Sequence, residues 1–205
     1  MSNTRKFGAH LILLPDGSIG SWPIVEVAGN GTIVSVETNP QGMKERPGLE
    51  WFGGLMIPGL LDVAGTASAD WYKQALLNTH FSEGTLYIGL QESARGFNKP
   101  PFFSKSPDLH LYKHPALVRT NLNFSVPLFR RISDFCLANT GSDWVELLWQ
   151  ASAGLASMSD DLKQYGSIQA GKQSGLLIIS GADLKQIKPS NQMRIKWLSY
   201  PSDKK

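Results

Sequence analysis

The sequence predicts an α/β fold. Both chain ends, residues 1–60 with 166–205, build one composite β unit, and residues 61–165 form an α/β insertion. Three observations predict it. Short runs rich in β-branched residues, broken by Gly and Pro turns, fill the first 60 positions. Helical periodicity is confined to the middle of the chain. Strand-like runs then return in the last 40 residues.

The elements follow in order. His10–Leu14 is an apolar run stopped by Pro15-Asp16-Gly17-Ser18, and Ile19–Val27 continues as a second strand. Gly29-Asn30-Gly31 reads as a tight turn into the alternating strand Thr32–Thr38. Asn39–Gly48 is a polar loop, and Leu49–Met56 is a further strand. Apolar spacing at Trp71, Ala75, Leu76 and Leu77 predicts a helix over 67–79. Gly84–Leu90 is a buried-strand candidate, followed by a long loop over 91–108 with Pro100, Pro101 and Pro107. Leu109–Tyr112 and Ala116–Arg119 read as short strands. Val126–Leu137 is a helix with Pro127 in its first turn. Ser142, with Glu146 close behind, is the expected N-cap of the clearest helix, Asp143–Ala156. A turn-rich link over 166–172 leads to strands at Leu176–Ser180 and Met193–Tyr200.

Composition narrows the function classes. The 205 residues are 41% hydrophobic, enough for a core, which excludes intrinsic disorder. A single cysteine, Cys136, excludes an intramolecular disulfide framework. Formal net charge is only +3 and forms no basic stripe, so no nucleic-acid partner is expected. Met1–Lys6 is polar with no signal-peptide h-region after it, and no run approaches the ~20 apolar residues of a membrane span. The expectation is a cytoplasmic protein with no membrane partner.

Three segments in order carry a resemblance. They are Gly54–Val63 (GLMIPGLLDV), Trp144–Ala156 (WVELLWQASAGLA) and Gly166–Ile179 (GSIQAGKQSGLLII). Together they resemble the amidohydrolase superfamily of metal-dependent hydrolases, across roughly half the chain. They are similar to its entry into the first barrel strand, its last barrel helix and its return into the terminal β-domain. Asp16-Gly17 and Gly29-Asn30-Gly31 fit the same plan. The resemblance implies a small β-sandwich-like unit made from both chain ends, beside a reduced, incomplete remnant of a (β/α)8 barrel.

The departures from that family bear on chemistry. Its metal-binding His-x-His pair would fall at Ala64 and Thr66. Alanine has no ligand atom, and a neutral hydroxyl is not a usual zinc donor. The family's late-strand Asp has no counterpart in Leu117–Ser125, which offers only Asn121 and Asn123. Gly65 to Asp143 leaves 79 residues. Seven further strand–helix units of about 30 residues would need roughly 200, so a closed eight-stranded barrel is excluded.

Other constellations are weaker. His110 and His114 stand four apart, the spacing of a helical ligand pair, but Leu109–Tyr112 alternates like a strand and Pro115 follows at once. His80 and Glu83 could form a polar pair at a helix end, but a capping or solvent-facing role is the simpler reading. Gly166-x4-Gly171-Lys172 fits the front of a phosphate loop, but Gln173 stands where Ser or Thr is needed, and a helix precedes it instead of a strand. Cys136, between Phe135 and Leu137, reads as buried and inert, and Ser152 as a helix-interior residue. Phe97, Phe102, Phe103 and Tyr112 read as loop aromatics that pack inward.

The expected function is a catalytically degenerate amidohydrolase-like protein, a non-catalytic binding or assembly module. It is expected to use no cofactor and to partner a second copy of itself or a full-length amidohydrolase relative. The alternative is a hydrolase acting on non-peptide carbon–nitrogen bonds. It would draw catalytic groups from Asp62, His80 and Glu83, with zinc or another divalent metal held by His110 and His114.

Overall fold

A computed structural model describes residues 4–63, 74–89, 126–157 and 160–201. Its strands are β1 (Thr4–Leu13), β2 (Ile19–Ser21), β3 (Ile24–Ala28), β4 (Ile33–Glu37), β5 (Leu49–Ile57), β6 (Leu60–Val63), β7 (Thr85–Gly89), β8 (Leu176–Ser180) and β9 (Arg194–Ser199). Its helices are α1 (Gln74–Ser82), α2 (Leu128–Ala138) and α3 (Trp144–Trp149), the last continuing as a π-helical turn over Gln150–Gly154. The architecture is mixed α/β, dominated by one sheet. The described strands form no closed barrel.

That sheet has seven strands in the order β4-β3-β1-β5-β8-β9, with β2 also on β1. β1 and β5 run parallel, with Phe7 opposite Glu50 and Gly8 opposite Trp51. β5 meets β8 antiparallel through Leu55↔Ile179 and Ile57↔Leu177, which joins strands from the two ends of the chain. Alternation assigns the faces. Leu55, Ile57, Leu177 and Ile179 pack with Leu128, Ile132 and Leu148 of α2 and α3. Met56, Leu176 and Ile178 join Phe7, Ile12 and Val25 on the opposite face. Burial on both faces explains why β8 reads Leu-Leu-Ile-Ile rather than alternating.

The predicted strand Ile19–Val27 is two strands. Trp22 breaks it at φ 50°, its N–H donating to His10 O, and Pro23 has no N–H to give a ladder. An apolar, β-branched run hides such a break from sequence. β1 begins at Thr4, earlier than the His10 start expected from apolar residues alone, because Arg5 and Lys6 pair with Val27 and Glu26. Leu176–Ser180 is a strand over the expected residues. Of the helix expected over 67–79, residues 67–73 lie outside the described residues, and the described part is Gln74–Ser82. The loop and strands expected over 91–119 lie outside the described residues.

The α3 cap also corrects the sequence reading. Asp143, not Ser142, is the N-cap, and its Oδ1 accepts from Glu146 N at 3.0 Å. Ser142 instead closes the preceding turn onto Asn139 O. The π-helical turn coincides with Ser152. That hydroxyl donates to Leu148 O at 2.7 Å and lies 3.2 Å from Trp149 O, a back-bond that loosens the regular ladder.

β6 and β7 form a separate parallel pair. Leu60 N–H donates to Gly84 O and Gly59 N–H to Ser174 O, which ties the pair to the chain leading into β8. Gly59 is required there. A Cβ at that position would lie 2.7 Å from Leu86 Cβ and 2.9 Å from Ser174 O. Trp197 of β9 stacks on Phe81 of α1 at 5.1 Å, and its Nε1 donates to Phe81 O. No described helix is long and apolar enough to cross a membrane.

Candidate functional site

The side chains of Asp62, His80 and Arg131 meet in the interior between β6, α1 and α2. Leu60 and Asp62 fall on one side of β6 and Leu61 on the other. Leu60 enters the core under α2, and Leu61 packs with Tyr87 and Leu155. Asp62 is therefore carried into an apolar layer, where it is 1% exposed. α2 buries Leu128, Phe129, Ile132 and Cys136 at helical spacing. Arg131 falls within that stripe and is 6% exposed.

The geometry is that of a buried ion pair. Arg131 Nη2 donates to Asp62 Oδ2, and Arg131 Nε donates to Val126 O at 2.9 Å. His80 is fully buried, with Nδ1 3.9 Å from the same Oδ2. The second carboxylate oxygen, Oδ1, accepts no hydrogen bond among the described residues. Burial pushes the Asp62 carboxyl above its usual range, against the opposing pull of Arg131 and then His80.

Glu83 is engaged differently. It does not pair with His80, and His80 is buried rather than solvent-facing as expected. It takes the fork of Arg130, with Nε at 2.9 Å and Nη2 at 3.0 Å, at the protein surface. The consecutive residues Arg130 and Arg131 therefore hold the two carboxylates that sequence singled out. One pair is exposed and the other buried. Sequence reasoning missed both arginines, although a signal existed. A charged residue on the apolar stripe of α2 needs a buried counter-charge.

His10 sits elsewhere, in β1. It accepts the Gly54 N–H at 3.2 Å and stands edge-on to Trp22 and Trp51. Cys136 is 6% exposed, and its thiol is pushed up to about 11 by burial, with a further push from Asp143. Ala64, Thr66, His110 and His114 lie outside the described residues.

The Asp62 cluster does not fit a metal ion. A guanidinium already supplies the positive charge at the carboxylate, and a second cation beside it would be repelled. Among the described residues, no three His, Cys, Asp or Glu side chains group to hold one.

No family model matches this chain, and no curated protein matches it. Solved structures do. An adenosine deaminase from Xanthomonas campestris with bound zinc aligns at TM-score 0.49 and 10% identity, over 87% of this chain and 85% of that one. An N-acetyl-D-glucosamine-6-phosphate deacetylase from Mycobacterium smegmatis aligns at TM-score 0.31 and 18% identity, over 42% and 26%. A guanine deaminase from Bradyrhizobium japonicum aligns at 0.30 and 10%, over 43% and 29%. These neighbours are amidohydrolase-superfamily hydrolases. The chain spans about a quarter of the deacetylase's length. No residue's role is carried across these alignments.

Proposed function

We propose that this chain is a non-catalytic, amidohydrolase-like protein that works as a binding or assembly module. In this reading the sheet built from residues 1–60 and 166–205 is one composite β domain, and 61–165 is the reduced insertion. One observation carries the proposal. The buried carboxylate of Asp62 gives its Oδ2 to Arg131, whose guanidinium already supplies the positive charge that a metal ion would bring. The sequence adds that Ala64 offers no ligand atom.

Elemental mass spectrometry on chain purified without chelator or affinity-tag metal tests this. The reading expects well under one zinc, iron or manganese per chain, and no amide-hydrolase or deaminase turnover on adding zinc. One bound metal per chain, lost in Asp62→Asn, would overturn it. The assembly part expects a second copy or a full-length relative as partner. Sedimentation equilibrium should then give a stable dimer, or a complex with such a relative. A strict monomer that binds no relative would remove that part.

A further inference from the structure

Away from the Asp62 cluster, a shallow pocket of about 580 Å³ opens between the start of α2 and the β8–β9 hairpin. Its walls are Arg130, Arg194, Ser180, Gly181, Asn191 and Gln192, and Met193 joins its lining. Met193 is buried and packs into the main core, so it gives the pocket a fixed base. None of these residues is acidic.

The two arginines are unequally committed. Arg130 spends Nε and Nη2 on Glu83 and also feels Asp134 one turn along α2, which leaves Nη1 as its uncommitted donor. Arg194 makes no ion pair and donates no side-chain hydrogen bond among the described residues, and it is exposed on the edge strand β9. Its backbone is held in register by Ser180. An uncommitted guanidinium fork, a second guanidinium shared with Glu83, and two amide-bearing residues in one concavity form a donor set that the single Glu83 carboxylate does not fill. Guanidinium forks match phosphate oxygens in shape and charge.

We propose that this pocket binds a phosphate dianion, with Arg194 as the principal ligand and Arg130 as the second. The pocket is larger than a phosphate alone requires, so the favoured ligand is a small phosphate monoester. Its polar body would meet Asn191 and Gln192. This inference does not depend on whether the Asp62 cluster is catalytic, because the pocket shares no residue with it.

Calorimetric titration of the full chain at low ionic strength tests it, with inorganic phosphate, glycerol 3-phosphate and uncharged glycerol as probes. Glycerol 3-phosphate should bind saturably, glycerol should not, and Arg194→Gln should weaken binding roughly tenfold, as expected for losing a charge-assisted contact. Arg194→Lys, which keeps the charge and loses the fork, should fall between. Lys185→Gln, on the same hairpin but outside the lining, should leave affinity unchanged. Inorganic phosphate binding as tightly as the monoester would keep the phosphate site and assign it to the free ion. Saturable binding by neither probe, or equal affinity in wild type and Arg194→Gln, would overturn the proposal. Metal content and turnover play no part in this readout.

Discussion

Two neighbouring regions bury their cores by different means. In the seven-stranded sheet, Leu55, Ile57, Leu177 and Ile179 meet the helices, while Met56 and Ile178 fill the other face. The side chains that these strands bury are apolar. Beside it, the β6–β7 pair buries Asp62 against Arg131, with His80 at 3.9 Å. Shape limits the first region. Charge balance limits the second. A deletion in the sheet should therefore cost what its missing volume costs. A deletion in the charged cluster should cost what the stranded partner costs.

The largest expected effect comes from breaking the cluster on one side. Arg131→Met should leave Asp62 buried and uncompensated, and should destabilise by about 3–5 kcal/mol in urea unfolding. Asp62→Asn should strand the guanidinium in the same way. In the sheet, Ile179→Ala should cost about 2–5 kcal/mol, and adding Leu55→Ala across the strand pair should deepen the loss rather than relieve it. Asp143→Ala, which removes the α3 cap, should cost about 1 kcal/mol by the same assay.

Arg130 gives the sharpest contrast, being one residue from Arg131. Its pair with Glu83 is exposed, so Arg130→Ala should change stability by no more than about 1 kcal/mol. A loss as large as that of Arg131→Met would erase the distinction between the two arginines. The smallest effect at neutral pH concerns Cys136. Its thiol, raised to about 11, should resist a thiol reagent at pH 8 until the protein unfolds. The folded value lies above the thiol's ordinary value of 9.0, so its contribution is present below pH 9 and is lost as pH rises through 11. Stability should therefore fall across that window, and Cys136→Ala should flatten the fall.

The two regions were not equally legible in sequence. Leu176–Ser180, the loop 39–48 and the Gly29-Asn30-Gly31 turn follow from period-2 patterns and turn chemistry, which are local. The break at Trp22-Pro23 was hidden because the apolar pattern runs through it. The cap on Asp143 was misplaced because Ser142 and Asp143 are both good capping residues, and only the preceding turn decides between them. The Asp62–Arg131 pair spans 69 residues of chain. No local spacing rule reaches that far, and only the misfit of an arginine on an apolar stripe hinted at it.

We propose that Asp62 and Arg131 serve each other rather than a reaction. The most direct measurement is the double-mutant cycle Asp62→Leu with Arg131→Met, read by urea unfolding. Each single change should cost several kcal/mol, and the double variant should return to within about 1 kcal/mol of wild type, because replacing both members of a buried pair is close to neutral. A double variant as unstable as the sum of its parts would contradict it, and so would an Arg131→Met variant with unchanged stability.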